Sequence, residues 1–155
     1  MELPLQAAAI SGIAAFAGAG VGALVATFIA KRNHREQRIN FVYMLTLKMH
    51  ELSITYPYLD DEAFCQSYPM LQSSDDHKSR YESYCCIAFN ALDHAYHIAN
   101  GKQAKINVII NPEELIRKHH RRWKADRDNI QYDEPFRHYV DSIIDNLRKR
   151  GEITP

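Results

Sequence analysis

The chain has 155 residues, of which 46% are hydrophobic and 25% are charged, a balance that suits a folded domain and excludes a disordered chain. Its 19 Lys and Arg residues equal its 19 Asp and Glu residues, so the formal net charge is zero. Dedicated nucleic-acid-binding proteins usually carry a basic excess, and this equality argues against that class.

The first feature along the chain is an uncharged run from Ala7 to Ala30, in which only Ser11 and Thr27 have polar side chains. A helix rising about 1.5 Å per residue spans roughly 36 Å over this run, enough to cross a hydrocarbon core of about 30 Å. Residues 7–30 are therefore predicted to form one transmembrane helix after a short extracytoplasmic tail, residues 1–6. A cleaved signal peptide is the alternative, but residues 1–6 contain no Lys or Arg and the run is long for a signal.

Basic residues directly after the run predict its orientation. These residues are Lys31, Arg32, Arg35 and Arg38. The positive-inside rule places the following part of the chain in the cytoplasm and the N-terminus outside, as a single-pass protein of the cell (inner) membrane. The same residues are candidates for contact with anionic lipid. The odd number of cysteines, three, agrees with reduced thiols in that compartment.

Small residues inside the run favour pairing between helices. They recur every four residues, at Ala14, Gly18, Gly22 and Ala26. Small side chains along one ridge let two helix backbones approach closely in lipid. A plain monomeric anchor is the alternative, and the pairing partner is either a second copy or another membrane protein.

Residues 31–54 are predicted to continue the same helix, because Gly22 and Pro57 bracket a stretch with no Gly or Pro. A helix of about 45 residues is expected. Its apolar stripe comprises Ile39, Val42, Leu45, Met49 and Leu52, widened by Phe41 and Tyr43. In the connector that follows, Asp60 is predicted to cap a short helix that ends by Ser67.

The next helix has a continuous buried stripe and a glycine, Gly101, placed as its C-terminal cap. The stripe comprises Tyr81, Tyr84, Cys85, Ala88, Leu92, Ala95, Tyr96 and Ala99. The β-branched segment 106–110 is predicted to be extended or irregular and to pack on the bundle, with a one-turn helix as the alternative.

Two more helix starts follow, at Asn111-Pro112 and at Asp133-Glu134-Pro135. The last helix is expected to bury Phe136, Tyr139, Val140, Ile143, Ile144 and Leu147 and to stop at Gly151. The predicted fold is therefore all-α, a transmembrane helix continuing into a cytoplasmic bundle of about four helices, with residues 55–155 as the remainder of that domain.

His94 and His97 are the candidate metal ligands, because an H-x-x-H pair on one helix face binds zinc or iron when a third ligand joins it. A di-iron bundle needs Glu three residues before His, and the sequence contains no such pair. Solvated histidines at the edge of the core are the simpler interpretation, so no metal and no cofactor is predicted.

A basic stretch on the helix predicted to start at Asn111-Pro112 is the other candidate site. Its permanent cations are Arg117, Lys118, Arg121, Arg122 and Lys124. Three interpretations stay open: pairing with local acids, such as Glu113 with Arg117 and Glu114 with Lys118; contact with an anionic lipid or protein; and contact with nucleic acid. The zero net charge weighs against the last of these.

The last third of the chain resembles a group of bacterial proteins. His120-Arg121-Arg122-Trp123, Tyr132, Phe136-Arg137-His138-Tyr139-Val140 and Ile143-Ile144 are similar to a Trp…Tyr…Phe-x-x-Tyr-Val…Ile-Ile pattern in single-pass membrane proteins with an all-helical cytoplasmic domain of unknown function. Tyr84-Cys85-Cys86 with Phe89-Asn90 is similar to their middle helix. The resemblance implies this fold and membrane location, and it implies no activity.

The sequence contains no G-x-S-x-G, phosphate-loop, H-E-x-x-H or G-x-G-x-x-G motif. The predicted function is therefore non-enzymatic: a membrane-anchored helical interaction protein that acts as a scaffold, accessory subunit or oligomerising effector. Its expected partners are membrane lipid and either a second copy or another protein. A metal-dependent enzyme using His94 and His97, and a binder of anionic lipid or nucleic acid through 117–124, are the alternatives.

Overall fold

A computed structural model describes the backbone of residues 3–71, 76–125 and 131–154, and the side chains of these residues from 22 onward. The described residues are helical, with no strand among them. The chain divides into two units, Met1–Gln37 and Arg38–Pro155. The predicted all-α class is thus confirmed for the described part of the chain.

Helix α1 spans Leu3–Thr55, and the predicted continuous helix that stops before Pro57 is confirmed. Among the residues that the structure describes, no helix is both long enough and apolar enough to cross a membrane. Residues 7–21 of the predicted span, including Ala14 and Gly18, lie outside the residues whose side chains are described.

The second half of α1 contributes part of the core of the unit Arg38–Pro155. Val42 is fully buried, and Leu45, Met49 and Leu52 pack against the core at the predicted helical spacing. Tyr43, which was expected to widen this stripe, is 53% exposed. Tyr43 is one residue past Val42, and the rotation of about 100° between them places its side chain on the outer face of the helix.

The connector after α1 contains a 3-10 turn at Pro57–Asp60, helix α2 at Glu62–Ser67 and a second 3-10 turn at Tyr68–Met70. The predicted cap at Asp60 is wrong, because the neighbouring Asp61 accepts the hydrogen bond from the Phe64 backbone N–H at 2.8 Å. Asp60 ends the preceding 3-10 turn, and its carboxylate binds Lys118 instead.

Helix α3 spans Asp76–Ala99, and its predicted stripe is buried except for the half-exposed Tyr96. The predicted cap is confirmed: Gly101 has φ of +69°, and its N–H donates to the Tyr96 carbonyl at 3.0 Å. Helix α4, Gln103–Ile106, is a single turn that shares only Ile106 with the segment 106–110. Residues 107–109 form a turn, so this segment is irregular and is neither extended nor a one-turn helix. The last residue of α4, Ile106, is fully buried.

Helix α5 spans Pro112–Ala125 and helix α6 spans Glu134–Lys149. Both predicted starts are confirmed, since Asn111 accepts from the Glu114 N–H at 3.2 Å and Asp133 accepts from the Phe136 N–H at 2.9 Å. The buried face of α6 is the predicted one, with Tyr139 only partly covered.

Aromatic side chains fill the space between α3, α5 and α6. Trp123 is 7% exposed, its ring centroid lies 4.9 Å from that of Phe89, and its Nε1–H donates to Asp141 at 3.1 Å. Cys65 and Cys85 are buried and unbridged, and burial raises the pKa of the Cys65 thiol to about 11. These two thiols are therefore protonated core side chains near neutral pH.

We expect Leu147→Ala to lower the free energy of unfolding by about 2–5 kcal/mol, because it opens a cavity at a fully buried position of α6. The matched control is Leu47→Ala on α1, where the side chain is 68% exposed and the expected change is within about 0.5 kcal/mol. Urea denaturation followed by circular dichroism measures both, and equal effects would contradict the assigned core.

Candidate functional site

The basic stretch of α5 is held by acidic and polar groups of the connector. Arg117 Nη1 lies 2.8 Å from both carboxylate oxygens of Glu62, and its Nη2 lies 3.1 Å from Glu114 Oε1. Lys118 Nζ lies 3.0 Å from Asp60 and 3.3 Å from Glu114. Hydrogen bonds from Arg117 lower the pKa of the Glu114 carboxyl, so this acid stays ionised.

The remaining basic side chains extend the same pattern. Arg121 donates to Gln66 at 3.3 Å and to Thr154 at 2.8 Å, and the Arg122 guanidinium lies 5.4 Å from the centre of the Tyr68 ring. Lys124, Asp141 and Asp145 line one surface cavity. These contacts favour the interpretation that the basic residues bind neighbouring groups of the same chain over the interpretation that they bind a polyanion.

One of the two predicted local pairs differs from the structure. Glu114 and Lys118 are paired as expected, whereas Glu113 binds Arg150 at 2.8 Å and not Arg117. Arg117 reaches an acid on the preceding turn and a second acid on α2. Asp126 and Asp128, the other acids assigned to this segment by sequence, lie outside the described residues.

A cavity of about 380 Å³ opens beside the ion pairs of Lys118. Met49 and Ser53 of α1, Tyr84 of α3, and Lys118 and His119 of α5 line it, together with the loop at Ile110. The walls are mainly apolar, and Asp60 and Glu114 also line the cavity. A cavity of this kind suits a small amphipathic molecule better than an extended polymer.

His119 is the buried polar group next to the cavity, and it was not singled out from the sequence. It is 1% exposed, and its Nδ1 shares a hydrogen bond of 2.9 Å with the Tyr81 hydroxyl. Burial lowers the pKa of the ring from its usual 6.5 to about 4, so the imidazole is neutral near pH 7. A ring with this pKa is a hydrogen-bond partner in the core and is poorly suited to general acid-base catalysis.

His120 is the second buried histidine. Its Nδ1–H donates to the Arg117 carbonyl at 3.0 Å, and burial lowers the pKa of its ring. Helical periodicity in the sequence is sufficient to predict that both histidines are buried. They fall on one helical face with Leu115, Ile116 and Trp123.

The structure separates the two histidines proposed as a metal pair. His94 packs edge-on against Phe41, with ring centroids 4.9 Å apart. His97 instead faces two carboxylates, Asp93 at 3.2 Å and Asp133 at 3.4 Å. Within the described part of the chain, these three residues are the group whose ligand atoms lie close enough to hold a metal ion. Asp133 was seen in the sequence only as a helix start.

The unit Met1–Gln37 has a different character. Every described side chain from Gly22 to Gln37 is exposed, including Leu24 at 73%, Val25 at 52%, Phe28 at 71% and Ile29 at 51%. Beyond the apolar run, Arg32 pairs with Glu36 at 3.0 Å. More than half of the surface of each of these apolar side chains is therefore left uncovered by the described residues of this unit.

Comparisons with protein-family models, with curated proteins and with solved structures give no match. The resemblance of the last third of the chain to bacterial single-pass membrane proteins therefore stays a prediction.

We expect acid to destabilise the protein through His119. Because the folded ring has a pKa of about 4 and the unfolded ring about 6.5, only the unfolded chain binds this proton between those values, and stability falls as the pH drops from 6.5 to 4. Between about pH 7 and pH 4.5 this group alone removes about 2–3 kcal/mol. His119→Asn should lose that part of the pH dependence and keep the smaller part from His120.

The measurement is urea unfolding at several pH values, with His138→Asn as the matched control. His138 is 76% exposed, so its replacement should leave the slope unchanged. An unaltered pH slope in His119→Asn would show that His119 is not buried in its neutral form.

Proposed function

We propose that this chain is a non-enzymatic, membrane-anchored helical interaction protein, acting as a scaffold, accessory subunit or oligomerising effector. The observation that carries the proposal is the exposure of Leu24, Val25, Phe28 and Ile29, each of which is more than half accessible. Each belongs to an uncharged run of 24 residues, Ala7 to Ala30. Contiguous exposed apolar surface of this kind marks a membrane or a protein interaction site.

Lipid is the cover that the flanking residues favour. In water, exposed apolar area costs about 25 cal/mol per Å², and a hydrocarbon environment removes that cost along the whole run. Lys31, Arg32 and Arg35 follow directly and are exposed, as expected for side chains at a headgroup layer. This arrangement supports a single span with residues 38–155 in the cytoplasm.

The interaction role is supported by a second exposed stripe, on α1 within the unit Arg38–Pro155. Met44 is 61% exposed, Leu47 68% and Ile54 81%, and three- and seven-residue steps keep them on one side of the helix. A folded domain with spare apolar surface at helical spacing is suited to packing against a partner helix.

Membrane fractionation tests the anchor. The 155-residue chain should sediment with membranes and resist alkaline carbonate, because the apolar run lies within the bilayer. A double substitution in the middle of the run, Ala17→Lys with Val21→Lys, should release it, since each Lys near the centre of a helical span costs about 2.5–3.5 kcal/mol. The control is Met44→Lys with Leu47→Lys, exposed positions outside the run.

Release of the control as readily as the first variant, or a wild-type chain that stays in the supernatant, would contradict the anchor. The pairing of helices is a separate question, because a monomeric anchor also sediments with membranes.

Gly22 offers a direct test of pairing through the small-residue ridge of Ala14, Gly18, Gly22 and Ala26. A side chain added at Gly22 meets no other atom within 4 Å in the protomer, so a larger residue there is tolerated by the single chain. Crosslinking between copies in membranes is measured through cysteines introduced along this ridge. We expect Gly22→Ile to abolish it, because the larger side chain separates the helix backbones. Ala23→Ile, one position off the ridge, is the control and should crosslink as the wild type does.

A further inference from the structure

Three side chains from two helices converge on one point of the unit Arg38–Pro155. Asp93 and His97 lie one turn apart on α3, and Asp133 directly precedes α6. His97 Nε2 lies 3.2 Å from Asp93 Oδ1 and 3.4 Å from Asp133 Oδ2. One ligand atom from each residue lies within 4.8 Å of the other two.

The Asp133 carboxylate is held in place by its role as a cap. Its Oδ1 accepts the Phe136 backbone N–H at 2.9 Å, while its Oδ2 faces His97. A hydrogen bond to the outer oxygen of a carboxylate is how proteins orient metal ligands. The cap thus directs the second oxygen toward the imidazole without needing any other contact.

The two carboxylates together carry more negative charge than His97 alone can balance. Its Nε2 holds either one proton or one lone pair, whereas two carboxylates approach this single atom. A divalent cation accepts the imidazole lone pair and one oxygen from each carboxylate together, and its charge balances both acids.

Two of the three ligand-atom separations are close to those around a tetrahedral ion. Zinc binds imidazole nitrogen and carboxylate oxygen at about 2.0–2.2 Å, which places two ligand atoms of a tetrahedron roughly 3.3–3.5 Å apart. The separations from His97 Nε2 to Asp133 and to Asp93, 3.4 and 3.2 Å, lie within and just below this range, and the two carboxylate oxygens lie within 4.8 Å of each other.

We propose that Asp93, His97 and Asp133 form a binding site for a divalent transition-metal ion of the zinc class. The side chains are 23%, 37% and 48% exposed, so the site opens to solvent on one side and leaves a coordination position for water. A bound ion would tie α3 to the start of α6. This site does not depend on the membrane anchor.

Titration of the purified 155-residue chain in detergent with Zn²⁺, followed by calorimetry, tests the site. We expect one ion per chain and, at a hundredfold excess of free Zn²⁺ over its Kd, a rise in Tm of about 5–10 °C. Co²⁺ should bind the same site with the intense visible absorption of a tetrahedral complex.

Asp133→Asn is the decisive variant. Asn caps a helix as well as Asp does, so α6 keeps its start while the charged ligand is lost. Affinity for Zn²⁺ should fall by more than the 10- to 100-fold, roughly, that outer-shell changes cost. Asp93→Asn should act in the same way, and it replaces the first variant if that one folds poorly.

His138→Ala is the matched control. His138 and Glu134 are also one turn apart, with Nε2 3.4 Å from Oε1, but both are about three-quarters exposed and the metal-ligand group does not include them. This variant should bind Zn²⁺ as the wild type does. Absence of saturable binding to the wild type, unchanged affinity in both Asn variants, or an equal loss in His138→Ala would overturn the proposal.

Discussion

The hydrogen bond between Tyr81 and His119 is the contact on which the helical domain depends. Both side chains are essentially inaccessible to water, and each supplies the partner that the other needs inside the core. Leaving a buried polar group unpaired costs about 1–3 kcal/mol, so α3 and α5 have one favourable register. The ring of Phe64 packs edge-on against Tyr81 at 5.5 Å, which adds α2 to the same point.

This register also determines where the charges of α5 lie. With His119, His120 and Trp123 directed into the core, Arg117 and Lys118 fall on the side that faces Asp60 and Glu62. The acids Asp60 and Glu62 of the connector therefore balance part of the positive charge of α5, and the cations of α5 are their ion-pair partners. Arg117 and Lys118 are paired with acids, whereas Arg121 binds the neutral Gln66 and Thr154, so folding reduces the positive charge of this segment without removing it.

The two units of the chain differ in how far their apolar side chains are buried. Residues from Arg38 onward cover most of their large apolar side chains with one another, and Val42, Leu59, Leu92 and Phe136 are buried completely or almost so. The described side chains before Arg38 are all exposed. Along the part of α1 whose side chains are described, tertiary packing stabilises only residues after Gln37, so the stability of residues 22–37 depends on what surrounds them.

Local chemistry explains which features could be predicted. The caps at Asn111, Gly101 and Asp133 depend on neighbours within one turn, so the sequence contains their whole cause. The choice of Asp61 over Asp60 as a cap is decided by a distant residue, since Asp60 is bound by Lys118. The cluster at His97 has both origins. Asp93 is one turn away and visible in the sequence, whereas Asp133 comes into range only because α6 packs beside α3. A cap needs one carboxylate oxygen, and tertiary packing decides what the second oxygen of Asp133 meets.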